Sequence, residues 1–270
     1  MTTQSLSAAA ARYGDPDLEL PVPNETVALQ FAHRSVRRFR ADPVSDEQLA
    51  TMVAAAQSAP TSSNLQAWSV VAVRDPGRKA RLAALGAGNP FIEQAPLFLV
   101  WLADLGRARR LAERRAAPLA AADYVETTLL AALDATLAAQ NAIVAAESLG
   151  LGVCCVGAMR NHPEEVAAEL GLPPHTFAVF GLAVGVPDPG ERAGVKPRLP
   201  QRAVLHHETY SVADADDVEA YDGRLAAYNE AVGLSGTWTD RVVRRLAGPE
   251  SMAGRHTLRA SLERLGFPSR

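Results

Sequence analysis

The sequence predicts an α+β protein in which a few buried strands alternate with amphipathic helices. The continuous apolar runs at 97–103 and 176–186 are typical of strands that are buried on both faces. Residues 119–149 give the longest helical pattern, which is apolar on more than one face. Such a helix normally lies inside a core or in a subunit interface. Helical patterns return after the Pro- and Gly-rich loop at 187–200.

Helix start signals are clear at several places along the chain. Asn24 can cap a helix that runs toward residue 34, and Ser45 with Gln48 forms a capping box. Pro163 suits the first turn of a helix that follows the third strand. The predicted helices span 24–34, 49–58, 75–85, 119–149, a segment that begins at 163, 215–231, 238–247 and 250–265. The predicted strands span 69–73, 97–103, 153–156 and 176–186.

Length and composition limit the domain organisation and the class of function. The chain has 270 residues, of which 48% are hydrophobic, so a sizeable core is possible. We expect residues 1–24 to form a flexible arm and residues 25–270 to form one domain with a helical extension from about 211. The net charge of −3 provides no global positive field for nucleic acid or an anionic membrane surface.

The chain also lacks the sequence signals of export and of a membrane span. Residues 1–5 show no basic start of a signal peptide, and Asp134 and Gln140 interrupt the apolar stretch at 129–144. Adjacent Cys154 and Cys155 cannot staple a fold, and we interpret them as two buried strand thiols rather than a redox-active vicinal disulfide. A cytoplasmic location is therefore expected. No metal site is expected either.

Two basic clusters lie far apart in the sequence. The first is His33-Arg34-Ser35-Val36-Arg37, which combines guanidinium groups with a hydroxyl. Arginine binds phosphate bidentately, and a neighbouring hydroxyl can hold a sugar-like oxygen. In the second cluster, Lys196 and Arg198 face the same way if the chain is extended. Together they predict one anionic ligand that is held from both sides. A solvated basic surface is the alternative for either cluster alone.

Further motifs follow the first cluster in a fixed order. They are 59–68 (APTSSNLQAW), 140–141 (QN), 147–152 (ESLGLG), 160–161 (RN), 196–200 (KPRLP), 221–228 (YDGRLAAY) and 237–240 (TWTD). Over about residues 25–265 the chain resembles the FMN-dependent nitroreductase superfamily, and within it the oxygen-insensitive NADPH nitroreductase and flavin reductase branch. The resemblance implies a mixed β-sheet flanked by helices in an intertwined homodimer, with FMN at the subunit interface and the helix at 119–149 as the dimer spine.

The resemblance also implies a role for each cluster in binding the tail of FMN. Arg34, Lys196 and Arg198 would bind the phosphate, with His33 beside them. Ser35 would bind the ribityl hydroxyls. Charge-assisted hydrogen bonds of this type contribute about 1.5–3 kcal/mol each.

The remaining implied residues surround the flavin ring. They are Arg37, Thr61, Ser62, Ser63, Asn89, Val156, Gly157 and Ala158. Arg37 would approach the N1/O2 edge, where a fixed cation favours the reduced flavin. The loop at 61–63 would come from the partner subunit. Gly157 would bring backbone N–H groups close to flavin N5, because glycine has no Cβ. Asn89 and Ala158 depart from the family pattern, which has a longer amide and a glycine at these positions.

The function implied is an FMN-dependent oxidoreductase that uses NADPH or NADH to reduce nitroaromatics, quinones or free flavin by ping-pong two-electron transfer. No catalytic side chain is expected, since the flavin carries the redox step. The chain departs from the branch at 231–236, which contains no cation for the 2′-phosphate of NADPH, so we predict a weakened NADPH preference. A specialised reductase of one biosynthetic metabolite and a flavin-binding protein without turnover are the alternatives.

Overall fold

The computed structural model describes residues 10–14, 24–212 and 215–270. The chain divides into two compact units. The first unit comprises the described residues within 1–34 together with 192–252, and the second comprises 35–191 and 253–270. Residues 10–13 of the predicted N-terminal arm are helical. Apart from residues 10–14 and 24, that arm lies outside the described residues.

The second unit contains a four-stranded sheet whose strands match the predicted ones to within one residue at each end. The strands are β1 Trp68–Val73, β2 Leu97–Asp104, β3 Gly152–Val156 and β4 Thr176–Gly185. Their order is β1-β2-β4-β3, and all three ladders are antiparallel. The four-stranded sheet is therefore antiparallel rather than mixed as predicted, and the parallel pairing of Ser35 with Val153 on β3 is an isolated bridge. Every side chain of β2 before Asp104 is buried, which explains the continuous apolar run in its sequence.

Besides the helical turn at 10–13, the described residues form a series of α-helices. In chain order these are α1 Glu25–Ala32, α2 Asp46–Gln57, α3 Pro76–Leu85, α4 Pro90–Gln94, α5 Gly106–Arg115, α6 Val125–Ser148, α7 Pro163–Leu170, α8 Ala215–Ala231, α9 Trp238–Leu246 and α10 Leu258–Arg264. Helices α1, α8 and α9 belong to the first unit, and the others to the second.

The predicted caps are confirmed. The Asn24 side chain accepts a hydrogen bond from the backbone of Val27. Ser45 and Gln48 form the capping box, in which each side chain accepts from the other's backbone N–H. These local bonds satisfy backbone donors that would otherwise be unpaired at a helix start.

Two helix boundaries differ from the prediction by more than three residues. The long helix begins at Val125 rather than at 119, because Tyr124 has an extended backbone and a 3₁₀ turn precedes it. The helix predicted at 250–265 is shortened to α10, since Ala253 and Gly254 adopt left-handed conformations that interrupt it. A left-handed residue cannot continue a right-handed helix.

Helix α6 has one buried face and one exposed apolar face. Ala135, Ala138 and Ala142 are completely buried, and this face of the helix packs against α2 and β2. On the opposite face Leu129, Leu133 and Leu137 are 54%, 62% and 44% exposed. By length and composition α6 could also cross a membrane. Its alanine face, however, is enclosed by elements of its own unit, as in a core helix.

Candidate functional site

The first unit brings together the four residues that the sequence assigns to an anion. His33 and Arg34 follow the end of α1, and Lys196 and Arg198 lie on residues 193–198, here called the basic loop. An Nη atom of Arg34 donates to the carbonyl of Ala193 at 2.8 Å, which fixes the end of α1 beside the basic loop. The two clusters are therefore neighbours in space although about 160 residues separate them in the sequence.

Two tyrosines of α8 position the backbone of the basic loop. The Tyr221 hydroxyl donates to the carbonyl of Pro197, and the Tyr228 hydroxyl donates to the carbonyl of Gly194, both at 3.1 Å. Burial raises the pKa of Tyr221, so its hydroxyl remains a donor. The Tyr228 ring also lies under the Lys196 ammonium, 5.8 Å from the ring centroid, which is a cation–π distance. Two residues of the 221–228 motif thus support the loop that carries the cations.

Arg12 makes further contacts to both clusters. It is buried, and its guanidinium donates to the carbonyls of Phe31, His33 and Lys196. Its own carbonyl accepts from the backbone N–H of Arg198 at 2.8 Å. Arg12 lies in the segment predicted to be a flexible arm, and nothing in the local sequence distinguishes it from other arginines.

In the second unit, Ser35 and Arg37 lie beside β3. The backbone N–H of Val36 donates to the carbonyl of Val153, which continues the bridge at Ser35. The carboxylate of Glu191 accepts from the backbone N–H of Arg37 at 2.5 Å and also from the next residue, so it fixes this turn. Glu191 is a second residue that the sequence analysis did not identify.

The two cysteines lie on opposite faces of β3, because successive strand side chains alternate. Cys154 is buried and Cys155 is exposed, so the prediction of two buried thiols was wrong for Cys155. Both thiols are reduced. Burial raises the pKa of Cys154, and the nearby Arg37 side chain partly opposes that shift. Cys154 is therefore a neutral thiol at physiological pH.

The C-terminal end of β3 holds Val156, Gly157 and Ala158. Val156 is buried, Ala158 packs against the core, and Gly157 opens a 3₁₀ turn. Among the described residues other than its two chain neighbours, a Cβ added at Gly157 would first meet the Arg160 and Arg255 guanidinium groups, at 3.5 Å or more. The packing of the chain therefore does not require glycine here.

The loop at Thr61, Ser62 and Ser63 is held by Asp134, a buried residue in the middle of α6. The Thr61 hydroxyl and the backbone N–H of Ala67 donate to one carboxylate oxygen, at 2.5 and 3.1 Å, and the backbone N–H of Ser62 donates to the other at 3.0 Å. The sequence analysis used Asp134 only as a break in an apolar run. In the sequence, a single carboxylate among alanines at helical spacing could have indicated a buried residue that needs hydrogen-bond partners.

The backbone of this loop is strained. Ser63, Asn64 and Gln66 have φ values of 49°, 54° and 49°, in the left-handed region that favours glycine. Ser62 and Ser63 are exposed. Strained conformations persist where surrounding bonds over-determine them, and they are common at ligand sites. Asp134 supplies those bonds here.

Asn89 and the segment at 231–236 are placed by local contacts. The Asn89 amide donates to the carbonyl of Gly86 in its own turn, directly before α4. Near the end of α8, the buried side-chain amide of Asn229 donates to the carbonyl of Gly236 at 2.7 Å, and the backbone carbonyl of Asn229 accepts from the backbone N–H of Leu234. The segment is thus a tight turn. Within residues 10–14, 24–212 and 215–270, no group of three His, Cys, Asp or Glu side chains could hold a metal ion.

Comparisons with known proteins agree over most of the chain. The family model described as "Nitroreductase family" matches residues 31–186, and "Nitroreductase family, C-terminal domain" matches residues 196–270. An FMN reductase (NAD(P)H) of Bacillus subtilis is 37% identical over 248 residues, which is 91% of this chain and 94% of that protein. An oxygen-insensitive NADPH nitroreductase of Salmonella typhimurium is 37% identical over 82% of this chain and 90% of its own length. The structure of the NADPH:FMN oxidoreductase from Vibrio harveyi complexed with NAD⁺ has a TM-score of 0.82 at 36% identity, and the match covers 92% of this chain and all of that one.

Proposed function

The chain belongs to the nitroreductase family, and on that premise we propose that it is an FMN-dependent oxidoreductase that reduces nitroaromatics, quinones or free flavin with NADPH or NADH. Turnover is of the ping-pong type, with donor and acceptor binding in turn. The observation that carries the proposal is the meeting of Arg34 with the basic loop in the first unit. A dianionic phosphate is the group that such a set of cations suits best.

The residues present fit this cofactor. Arg34, Lys196 and Arg198 are proposed to bind the phosphate, with His33 alongside. Hydrogen bonds from Tyr221 and Tyr228 hold the backbone of the basic loop at Pro197 and Gly194, and the Arg34 side chain donates to Ala193 of the same loop. These bonds reduce the cost of bringing the cations together.

The second unit is proposed to contact the ribityl chain and the ring. These residues are Ser35, Arg37, Thr61, Ser62, Ser63, Asn89, Val156, Gly157 and Ala158. FMN supplies the two-electron redox chemistry when it is bound. Arg37 is proposed to bring a permanent cation to the ring edge, and the bond from its backbone N–H to Glu191 supports this by holding its main chain. Gly157 offers backbone N–H groups without a Cβ in the way. No side chain of the chain needs to act as an acid, base or nucleophile.

We also propose a homodimer in which α6 is the central interface helix. Leu129, Leu133 and Leu137 are spaced four residues apart and form an exposed apolar stripe. Leucines that are 44–62% exposed on one helix face form a surface that a second copy could cover. The loop at 61–63 would then reach the partner's flavin. Residues 25–270 are proposed to act as one domain. The proposed location of the protein is the cytoplasm.

The sequence of the turn at 231–236 bears on the choice between NADH and NADPH as electron donor. This turn contains no Lys or Arg. A 2′-phosphate therefore gains no charge-assisted bond from it, and NADH is proposed to serve as well as NADPH. A kcat/KM ratio for NADPH over NADH above about 100 would contradict this, since it requires about 2.7 kcal/mol of discrimination.

The phosphate assignment is tested by a double substitution. Lys196→Ala with Arg198→Ala is expected to release FMN on gel filtration while the chain stays folded by circular dichroism. The matched control is Arg110→Ala with Arg114→Ala, which removes two exposed cations from α5. Unchanged flavin content in the first double variant would refute the assignment.

Two alternatives are separated by simple measurements. A specialised reductase of one metabolite would turn over most of a panel of nitro, quinone and free-flavin acceptors poorly. A flavin-binding protein without turnover would keep its visible flavin band when mixed anaerobically with NADH and NADPH. The proposed enzyme loses that band rapidly and reduces several acceptors of the panel.

A further inference from the structure

We propose that Arg12 is a positioning residue of the phosphate site, which holds the end of α1 and the basic loop in register. The inference rests on the proposed FMN binding and adds to it a residue that precedes the matched family segment. The family model begins at residue 31, so Arg12 lies outside it.

The contacts of Arg12 join both halves of the site. One Nη atom donates to the carbonyl of Lys196 at 2.8 Å. The other donates to the carbonyls of Phe31 and His33, at 2.9 and 2.7 Å. The acceptors on either side are separated by more than 160 residues of sequence. One guanidinium group therefore fixes the distance between the two chain segments that carry the cations.

The backbone of Arg12 adds a fourth contact. Its carbonyl accepts from the N–H of Arg198, which orients one of the residues proposed to bind phosphate. Residues 196 and 198 are thus both tied to Arg12 through their main chains. The exposed Arg198 side chain also donates to the carbonyls of Lys196 and Pro197, at 3.2 and 3.1 Å.

Arginine is suited to this task by its shape. The guanidinium group is planar and carries five N–H donors in a fixed fork, so it can bond to several carbonyls at once. Arg12 is only 7% exposed, so these bonds compete little with water. A side chain with a single hydrogen-bond donor could not bond to both the end of α1 and the basic loop.

The helical turn at 10–14 is anchored by further contacts that place Arg12. The Tyr13 ring packs edge-on against Phe31, with centroids 5.9 Å apart and planes at 61°. The backbone N–H of Gly14 donates to the carbonyl of Ala10 and closes the turn. Phe31 is therefore contacted by two successive residues of this turn.

The test compares FMN with riboflavin, which has the same ring and ribityl chain but no phosphate. The full-length protein is stripped of flavin, and both dissociation constants are measured by flavin fluorescence for wild type, Arg12→Ala and the control Arg114→Ala. The readout is the selectivity for FMN over riboflavin. If Arg12 positions the phosphate-binding residues, Arg12→Ala lowers this selectivity at least tenfold, which corresponds to about 1.4 kcal/mol. Arg114→Ala leaves it unchanged.

A reduction smaller than tenfold overturns the inference. This includes the case in which both flavins bind more weakly by the same factor, because a merely structural role would have that effect. If Arg12→Ala does not fold, Arg12→Gln is held to the same threshold. A wild-type protein that binds neither flavin would instead refute the proposed function, so the two failures are distinguishable.

Discussion

Replacing Asp134 by asparagine tests whether the loop at 61–63 depends on a buried carboxylate. Asp134 is 2% exposed and accepts hydrogen bonds from Thr61, Ser62 and Ala67. Asn has almost the same shape, but it has one acceptor oxygen instead of two and no charge. The substitution therefore changes the hydrogen-bond chemistry with little change in packing.

The magnitude follows from these bonds. If the amide oxygen takes the place of the oxygen that Thr61 and Ala67 contact, the amide NH₂ group faces the N–H of Ser62, and two donors oppose each other. One hydrogen bond to a charged acceptor is lost, at about 1.5–3 kcal/mol, and the other two become neutral bonds of roughly half the strength. Removing a buried charge offsets part of the loss. We expect Asp134→Asn to lower the free energy of unfolding by about 2 kcal/mol.

The assay is denaturant unfolding of the flavin-free protein, followed by circular dichroism at one fixed protein concentration. The concentration is fixed because association would otherwise change the apparent stability. A lower midpoint at constant slope reports the loss of stability. The FMN dissociation constant of the same variant should rise, since the loop that bears Ser62 and Ser63 is less restrained.

The control makes the same carboxylate-to-amide change at an exposed site. Glu113→Gln on α5 is expected to change the stability by less than about 0.5 kcal/mol, as surface substitutions usually do. An Asp134→Asn protein that is no less stable than Glu113→Gln would show that the three bonds do not hold the loop.

Three further predictions follow from other parts of the fold. Leu133→Arg, in the middle of the exposed α6 stripe, should convert a dimer to a monomer on sedimentation and lower its flavin content. Gly181→Ala should cost about 1–3 kcal/mol in a denaturation assay, since its Cβ would overlap the Phe98 ring, and adding Phe98→Leu should restore part of the loss. Arg264 bonds to Glu164 and lowers the pKa of that carboxyl to about 2, so this pair stabilises the fold above the ordinary pKa of 4.5. The stability difference between wild type and Arg264→Met should therefore shrink as the pH falls from 4.5 toward 2.

Each of these predictions has a clear contrary outcome. A Leu133→Arg protein that sediments as the wild type does would remove α6 from the interface. A Gly181→Ala protein of full stability would show that Phe98 can move without cost. A stability difference for Arg264→Met that is independent of pH would mean that the pair contributes through packing rather than charge.

The parts of the fold that the sequence predicted well are those with a local signal. The strands β2 and β4 are buried on both faces, so their apolar runs could be recognised without tertiary information. The capping box at Ser45 and Gln48 depends on residues three positions apart. The late start of α6 could not be foreseen, because Tyr124 is compatible with a helix and only its extended backbone ends the pattern.

The parts of the candidate site that were missed depend on contacts between distant segments. Arg12 bonds to a residue 184 positions away, and Glu191 bonds to Arg37 across 154 positions. No periodicity or spacing reports such pairs. Asp134 is an intermediate case, since a charged residue on the buried face of a helix requires partners, although the sequence does not say which ones.

The tie between Asp134 and Thr61 has a thermodynamic consequence. The neighbouring residue, Leu133, faces outward from the same helix turn, so the surface proposed for subunit contact and the strained loop share one rigid segment. If subunit association orders this segment, flavin binding pays less conformational entropy to order it, and the converse also holds. Such coupling is reciprocal, so flavin should tighten subunit association by the same factor by which association tightens flavin binding.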